Sequence, residues 1–457
     1  MDILDDARKR FPDRAFRIIN NNGEMIVLPS RCVNAIRNEA GLSFAEAVEQ
    51  VGSVKSLHEA ENVNCPGLPL PRFRIYTYGS YGASGTDTVT EPLASEAIFA
   101  TELVLGNPTD WQETFILDSM LSIIARLSSR VFLGDRLCRN DDWLKATKEY
   151  TVNMFQAAFR LTLVPPYLRF LVPIFSKECR TVREQLQRSQ ELVKPVIEER
   201  RLLKEQARKA GKPVPKFNDA IEWGEAECKG ISYDPASLQL LLSFAAIHTT
   251  SDLLTKIMLL LAREPQLMDP LREEIVRVLK KDGWSKSSLY NMKLLDSTMK
   301  EAQRFLPNER LAMRRIATKD VHLPEENITI RKGQYVMVDG ARESQPNLFE
   351  NPEKFDIYRW VRLRETPEFA NKAHFVSTSP EHLDFGHGMH SCPGRFFAAN
   401  ETKIALCFLL LKYDWELAPG TTLEPTKFGI NYMLNPKSTL RYRKREAEID
   451  LEALKFE

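Results

Sequence analysis

The chain has 457 residues, of which 43% are hydrophobic and 27% are charged, and its formal net charge is +1. This near-neutral balance argues against a nucleic-acid-binding protein and against a strongly acidic partner. The seven cysteines are odd in number, widely spaced and never in a Cys-x-x-Cys pair, so neither a disulfide framework nor a zinc ribbon is predicted. The charged start of the chain contains no apolar run, so neither a signal peptide nor an N-terminal membrane anchor is expected.

The N-terminal part of the chain contains a predicted β-hairpin followed by a long irregular stretch. Two apolar runs flank Asn21-Asn22-Gly23, whose residues readily adopt the positive φ values of a tight turn. Residues 60–110 are rich in Gly, Pro, Ser and Thr and show no helical period. We therefore expect this second stretch to be atypical and loop-like.

Helical periodicity dominates from Trp111 to about Phe305, and strand-like segments return after residue 320. The most apolar run, residues 238–262, carries His248, Asp252 and Lys256 at four-residue spacing on one face. Three polar residues on one side of a long apolar segment indicate a buried helix of a globular protein better than a helix in lipid. The order of the elements predicts a mainly α fold with small β-sheets, that is, an α+β class.

The segment FGHGMHSCPGRFF, residues 385–397, places Cys392 among three glycines and two histidines just before an apolar helix. A single cysteine beside such a helix is most often a buried structural residue. It could instead be a nucleophile activated by His387 or His390, or part of a zinc site with the spacing His-x-x-His-x-Cys.

The neighbours of this cysteine favour a fourth interpretation, in which its sulfur is an axial ligand to heme iron. Gly386 and Gly388 permit a tight bend and the close approach of a flat cofactor, and Gly394 removes another side chain. Pro393 suits the first position of a helix, so the sulfur would lie at a helix N-terminus, which favours its anionic form.

The pattern Phe385-Gly-x-Gly-x-His-x-Cys392-x-Gly394 resembles the signature of the cytochrome P450 family. The resemblance implies the cytochrome P450 fold, with heme b (iron protoporphyrin IX) held by the Cys392 thiolate between the long central helix and the helix after the cysteine. It also implies that Phe385 shields the sulfur and that His390 pairs with a heme propionate. Residues 1–457 would then form a single catalytic domain.

A second motif, Glu301-x-x-Arg304, carries weight only in this context, because the same spacing recurs elsewhere, as in Glu198/Arg201 and Glu274/Arg277, which are more simply interpreted as surface pairs. The segment NPEKFDIYRW that follows resembles the family segment that supplies a further arginine, here Arg359. The resemblance implies a buried ionic network of Glu301, Arg304 and Arg359 with a structural role.

The segment SFAAIHTTS resembles the oxygen-activating helix of the family, although taken alone it is a core helix that contains threonines. The resemblance implies that Thr249 hydrogen-bonds dioxygen or the water that delivers protons, and its hydroxyl can also bond to a carbonyl one turn earlier. His248 stands where relatives have an acid, and a histidine can also transfer protons near neutral pH. Arg315, in RRIATKD, is either a propionate ligand or an ordinary surface arginine.

The implied reaction is monooxygenation of a small apolar, terpenoid-like secondary metabolite by O2, as in filamentous-fungal microsomal members. No dinucleotide fingerprint is present, so the resemblance implies NADPH–cytochrome P450 reductase as the electron donor. It also implies the cytosolic face of the endoplasmic reticulum membrane, and RLTLVPPYLRFLVPIF is either a peripheral membrane contact or part of the core. None of the six tryptophans is expected to have an arginine four residues later, as in the Trp-x-x-x-Arg motif that relatives carry in the region of residues 60–110, so the alternative is a heme-poor or catalytically impaired relative.

Overall fold

The computed structural model of the chain describes residues 2–20, 23–52, 86–228, 233–340 and 348–456, and helices predominate in them. The helices are α1 (Ile3–Arg10), α2 (Val33–Ile36), α3 (Phe44–Gly52), α4 (Thr86–Leu105), α5 (Ile116–Leu133), α6 (Asp141–Thr162), α7 (Val172–Phe175), α8 (Lys177–Lys209), α9 (Ala220–Cys228), α10 (Pro235–Arg263), α11 (Met268–Asp282), α12 (Lys286–Asn291), α13 (Lys293–Phe305), α14 (Arg359–Arg364) and α15 (Arg395–Lys412). The strands are β1 (Phe16–Asn20), β2 (Gly23–Leu28), β3 (Leu42–Ser43), β4 (Gln112–Phe115), β5 (Leu311–Ala317), β6 (Val321–Leu323), β7 (Ile328–Ile330), β8 (Tyr335–Asp339), β9 (Tyr413–Leu417), β10 (Thr426–Phe428), β11 (Asn431–Met433) and β12 (Thr439–Lys444). The predicted α+β class is confirmed.

The largest described sheet has five strands in the order β1-β2-β8-β5-β3. The predicted hairpin is confirmed, because β1 and β2 pair antiparallel with Asn20 opposite Gly23, whose φ is +110°. Strand β2 also pairs parallel with β8, which joins the N-terminal segment to residues some 300 positions later. Alternate residues of β2 enter separate apolar clusters on the two faces of the sheet, which explains its continuous apolar run.

The central helix α10 crosses the helical body and packs against α5, α8, α6 and α15. Asp234 caps its N-terminus by accepting hydrogen bonds from the backbone N–H groups of Ala236 and Ser237, and Pro235 occupies its first turn. In the described chain this is the one helix long and apolar enough to cross a membrane, but 67% of its most apolar window is buried in the protein. A core helix has the same composition, so the predicted long buried helix is confirmed.

The prediction that residues 60–110 are loop-like is wrong for α4, and residues 60–85 lie outside the described residues. The buried face of α4 consists largely of small residues, including Ala94, Ala97 and Ala100, which pack against α5 and α15. Alanine has the highest helix propensity but contributes little to a hydrophobic period. The threonines and Pro92 at the start of the helix concealed it further.

Candidate functional site

The cysteine loop, residues 383–394, is a tight bend that leads into α15. The backbone N–H of Cys392 donates to the carbonyl of Phe385 at 2.7 Å, which closes the bend. Gly386 and Gly388 have φ values of +64° and +79°, a region that side chains disfavour. The phenyl ring of Phe385 packs edge-on against Phe375 with the ring centroids 5.1 Å apart, so the bend is held from inside as well.

The segment after α2 holds the outside of the cysteine loop. The backbone N–H of Met389 donates to Asn38 Oδ1 at 2.9 Å. A Cβ atom on Gly388 would lie 2.6 Å from the carbonyl oxygen of Arg37, which is closer than real Cβ atoms approach backbone. Glycine is therefore required at position 388 for two reasons, its positive φ and this close approach.

The Cys392 side chain is partly buried, whereas the other four described free cysteines are fully buried. Burial raises the pKa of its thiol, and the backbone N–H groups of Gly394 and Arg395 oppose this by favouring the thiolate. The expectation that Pro393 begins the helix is wrong by two positions, since α15 begins at Arg395 with Gly394 as its N-cap. A Cβ on Gly394 would lie 4.0 Å from the sulfur, so the glycine leaves space beside it.

The structure does not support a histidine-activated nucleophile or a zinc site at Cys392. His387 Nε2 accepts from the guanidinium of Arg37 at 3.0 Å, and its Nδ1 lies 3.1 Å from the Thr378 hydroxyl, so both ring nitrogens are engaged. Among the residues that the structure describes, no group of three or more His, Cys, Asp or Glu side chains is placed to hold a metal ion.

Two basic side chains from distant parts of the chain, Arg315 and His390, meet near the cysteine loop. Arg315 of β5 is fully buried, and its guanidinium lies 5.7 Å from the ring centroid of Phe44. The ring of His390 lies 6.0 Å from the same phenyl ring. Burial and the positive charge of Arg315 lower the pKa of His390 to about 4. The interpretation of Arg315 as a surface arginine is wrong, because the side chain is buried beside the cysteine loop.

Glu301, Arg304 and Arg359 form one buried cluster. Glu301 accepts from Arg304 through both carboxylate oxygens at 2.8 Å and from Arg359 Nε at 2.9 Å. The remaining N–H groups of Arg359 donate to the carbonyls of Glu350, Asn351 and Lys354. The Glu301 side chain is 0% exposed. The two arginines share one carboxylate, and backbone carbonyls accept the other N–H groups of Arg359, so the cluster joins α13, α14 and the segment before α14 into one unit.

Thr249 and His248 lie on different faces of α10. Thr249 is exposed on an otherwise buried helix, and its hydroxyl donates to the Ala245 carbonyl at 2.9 Å, with the Ala246 carbonyl 3.3 Å away. His248 Nε2 lies 3.1 Å from the backbone carbonyl of Lys148 in α6, and burial lowers its pKa. A neutral ring that donates to this carbonyl joins two helices, so the structure does not bring His248 and Thr249 together.

Sequence reasoning missed Glu401, a fully buried carboxyl on α15. The hydroxyl of Ser128 in α5 donates to Glu401 Oε1 at 2.6 Å. An acid within an apolar helix, nine residues after the cysteine, is the signal that would have found it. The expectation that no tryptophan has an arginine four residues later is wrong, because Trp360 and Arg364 in α14 have this spacing. Arg364 bonds Asp296 at 3.0 Å, so it belongs to the scaffold.

The residues at this site fit heme. The Cys392 sulfur has a side-chain-free neighbour in Gly394 and backbone N–H groups that favour its anion. Arg315 would neutralise a propionate and the neutral ring of His390 could donate a hydrogen bond to one. The exposed face of α10 with Ala245 and Thr249 belongs to a helix that packs against α15. A thiol at a glycine-rich bend, a buried arginine beside a histidine and a threonine-bearing central helix define the class of heme-thiolate proteins.

Comparison with known proteins agrees with this class. Residues 107–441 match the family model described as Cytochrome P450. The chain is 42% identical to the cytochrome P450 monooxygenase hepE of Aspergillus oryzae over 98% of its own length and 82% of that relative. It is 38% identical to the cytochrome P450 monooxygenase adrA of Penicillium rubens, covering 95% of this chain and 84% of that one. The chain belongs to the cytochrome P450 family, whose members hold heme through a cysteine thiolate.

Solved structures show the same fold. Retinoic-acid-bound cyanobacterial CYP120A1 superposes with a TM-score of 0.70 at 17% identity and covers 97% of this chain and 94% of its own. The heme domain of cytochrome P450DA gives the same TM-score at 20% identity, covering 97% of this chain and 92% of its own. The fold is thus that of a cytochrome P450, and the enzyme is a monooxygenase of this family.

Proposed function

We propose that this monooxygenase inserts one atom of O2 into a small apolar, terpenoid-like metabolite of fungal secondary metabolism, with Cys392 as the thiolate ligand of heme. The observation that carries the proposal is the Cys392 sulfur in its glycine-rich bend, partly exposed, beside two backbone N–H groups. Similarity to fungal monooxygenases supports the metabolic setting. One oxygen atom enters the substrate and the other leaves as water, with electrons and protons consumed in equal number.

Heme bound through a thiolate supplies O2 binding and O–O cleavage. The chain supplies position and control. Phe385 shields the sulfur from water, Gly386 shapes the bend, and Gly394 makes room beside the sulfur. Arg315 and His390 hold the propionates. The Thr249 hydroxyl donates its own hydrogen to Ala245, which leaves its oxygen free to accept a proton and pass one on.

The Glu301, Arg304 and Arg359 cluster has a structural part in this proposal. It touches neither sulfur nor substrate, and it holds the segment before α14 against α13. Because the cysteine loop follows that segment, loss of the cluster would disturb heme retention indirectly. We assign it no part in the chemistry.

The electron donor in this proposal is NADPH–cytochrome P450 reductase, and the location is the cytosolic face of the endoplasmic reticulum membrane. The helix α6 ends at Thr162 in the proline-broken segment, where Tyr167 and Phe175 are 75% and 76% exposed. The interpretation of these side chains as core is therefore wrong, and exposed aromatics of this kind bind a membrane surface. A Tyr167→Ser/Phe175→Ser double variant should bind phosphatidylcholine vesicles more weakly in flotation, whereas Tyr290→Ser, exposed elsewhere, should not. Equal binding of all three would contradict the membrane contact.

The test of the main proposal is the spectrum of the purified chain, reduced under carbon monoxide. We expect a Soret band in the position typical of thiolate ligation, lost in Cys392→Ala and kept in Cys138→Ser, which alters a buried cysteine in the connection between α5 and α6. Retention of the same pigment and turnover in Cys392→Ala would overturn the proposal. Absence of any heme band in the parent would instead support the heme-poor alternative.

A further inference from the structure

A partly buried arginine at the start of α15 is bonded to the backbone of Cys392. Arg395 Nη1 donates to the Cys392 carbonyl at 2.7 Å, and Arg395 Nε donates to the Val376 carbonyl at 3.0 Å. The central carbon of the guanidinium lies 4.6 Å from the ring centroid of Phe396. These three contacts hold the guanidinium at the cysteine loop instead of leaving it free in solvent.

The guanidinium of Arg395 has no carboxylate partner in the part of the chain that the structure describes. Burial lowers the pKa of Arg395, and the opposing electrostatic attraction comes from Cys392. The two arginines of the charged cluster differ in this respect, because Arg304 and Arg359 both pair with Glu301. The anion that compensates Arg395 is therefore the thiolate itself.

The position of Arg395 does not serve the stability of the helix that it begins. It is the first residue of α15, whose first turn contains no acidic residue. A helix N-terminus carries a partial positive charge, so a cation there is repelled. Arg272 shows the favourable arrangement at the other end of α15, where it donates to the carbonyls of Leu410 and Tyr413 and pairs with Asp414. The charge of Arg395 consequently requires another explanation.

The segment that accepts the guanidinium is itself held in place, and we call residues 374–378 the backing segment. The buried ammonium of Lys300 in α13 donates to two of its carbonyls, at 2.9 Å each. The backbone N–H of Phe375 donates to the carboxylate of Asp296 at 2.9 Å. The Val376 carbonyl therefore lies in a segment that is bonded to α13 on both sides of it, and the cation bound to this carbonyl has a fixed position.

The charge of Arg395 acts on the Cys392 sulfur. Burial raises the pKa of the thiol, and three groups oppose it: the backbone N–H of Gly394, the charge of Arg395 and the backbone N–H of Arg395. Pro393 has no N–H to add to them. Inside a protein a unit charge several ångströms away is screened much less than in water. A cation fixed at this place stabilises negative charge on the sulfur and on any metal that the sulfur binds.

We propose that Arg395 is a positioning residue that raises the reduction potential of the bound heme through its charge beside the Cys392 sulfur. The inference rests on the proposed function. In the reduction, one electron passes from the reductase to the heme, no bond forms or breaks, and the charge beside Arg395 becomes more negative by one. The fixed cation stabilises the reduced form more than the oxidised form. Arg395 thus favours uptake of the electron and acts through Cys392.

The test is a potentiometric titration of the purified, heme-loaded full chain, followed by its absorption spectrum. Arg395→Met removes the charge and keeps an apolar stem. At a given applied potential its ratio of reduced to oxidised protein should fall on the order of tenfold, which is a midpoint about 59 mV more negative. Arg395→Lys keeps the charge and should stay within about twofold of the parent.

The matched control is Arg272→Met. This variant removes an arginine that is also bonded to backbone carbonyls of α15, but at the far end of a helix of 18 residues, about 27 Å away. The charge of Arg272 is balanced by Asp414, so the midpoint potential of Arg272→Met should match that of the parent. A loss of helix contacts alone would affect Arg272→Met and Arg395→Met alike.

A second readout measures electron donation from the sulfur to the iron. Carbon monoxide is added to the reduced chain, and its C–O stretching frequency is recorded by infrared spectroscopy. A more electron-rich iron donates more density into the antibonding orbital of carbon monoxide and lowers this frequency. We expect a lower frequency in Arg395→Met and an unchanged one in Arg395→Lys and Arg272→Met.

Equal midpoint potentials and C–O frequencies in the parent and Arg395→Met, both with the Soret band of thiolate ligation, would overturn this inference alone. A potential as low in Arg395→Lys as in Arg395→Met would also overturn it, because the hydrogen bonds and not the charge would then set the value. Should Arg395→Met retain no heme, Arg395→Gln, which is neutral but keeps an N–H donor, should show the same shift. A parent without any heme band would overturn the proposed function and this inference together.

Discussion

The Thr249 hydroxyl is the clearest test of the site at the scale of one residue. In Thr249→Val the side chain keeps its shape but loses the oxygen that accepts and passes a proton. We expect an unchanged carbon monoxide spectrum and a fall in the yield of oxygenated product per NADPH on the order of 10²-fold, the range for a positioned proton-transfer group. Thr249→Ser should recover most of the yield, because it keeps the hydroxyl. A Thr249→Val variant that forms as much oxygenated product per NADPH as the parent would contradict the proposed role of Thr249.

Glu301 tests the charged cluster. Its removal leaves two buried arginines without their shared carboxylate, so Glu301→Gln should lower the free energy of unfolding by about 3–5 kcal/mol. The matched control is Glu198→Gln, which belongs to another Glu-x-x-Arg copy and pairs at 3.9 Å with Lys194 on the surface. This control should cost less than about 1 kcal/mol in urea unfolding. Equal losses would mean that burial of the cluster is unimportant.

Single residues were predictable where a motif fixes their neighbours. Cys392 is surrounded by glycines whose backbone requirements can be deduced from residue type alone, and the positive φ values of Gly386 and Gly388 follow that expectation. His248 shows the limit of such reasoning, because one position along a helix changes the direction of a side chain by about 100°. Glu401 was missed for a related reason: whether a carboxyl is solvated or buried depends on helices far away in the chain.

The cysteine loop can be tested as an element. Gly388 and Gly420 have nearly equal φ values of +79° and +82°, but a Cβ would collide with the Arg37 backbone only at Gly388. Alanine at either position carries the left-handed penalty of about 1–2 kcal/mol. We expect Gly388→Ala to lose much of its heme per chain as well, whereas Gly420→Ala should keep it. Equal heme content in the two purified variants would show that the contact with Arg37 does not shape the loop.

Elements differ in how far they can be predicted because their stability has different sources. The β1–β2 hairpin is encoded by its turn and by two apolar runs next to each other, and it was found from sequence. Helix α4 depends on the fit of its alanine-rich face against α5 and α15, which no local pattern displays. The long helix α10 lies between these cases, since its length and apolar character were visible but the partners of its faces were not.

The attachment of α1 to the rest of the molecule is electrostatic and therefore depends on pH. The buried guanidinium of Arg310 binds Asp2 at 2.7 Å and Asp5 at 2.6 Å, and Arg8 binds Asp339 at 2.6 Å. The hydrogen bond from Arg310 lowers the pKa of Asp2 from 3.8 to about 2. Because the folded pKa lies below the unfolded one, this contribution is complete above pH 3.8 and is lost as the pH falls through about 2.

Hydrogen exchange of the α1 amides measures this attachment. In Arg310→Gln the amides of α1 should exchange at neutral pH as fast as those of the parent do in acid. The amides of α11 should stay protected from exchange in both proteins. Arg17→Gln, which breaks the exposed pair with Glu24 at 3.2 Å, should leave α1 unchanged. Full protection of α1 in Arg310→Gln would show that apolar packing of the helix suffices.

The hydrogen bond from the backbone N–H of Met389 to the side chain of Asn38 joins two residues that are 351 positions apart in the chain. At a synthesis rate of roughly 5–20 residues per second, the ribosome would take about 20–70 s to reach Met389 after it has added Asn38. During that interval Asn38 has been synthesised while Cys392 has yet to be translated. Heme binding through the proposed ligand Cys392 is consequently a late event in the synthesis of each molecule, and in a pulse-labelling experiment it should not precede synthesis of the cysteine loop.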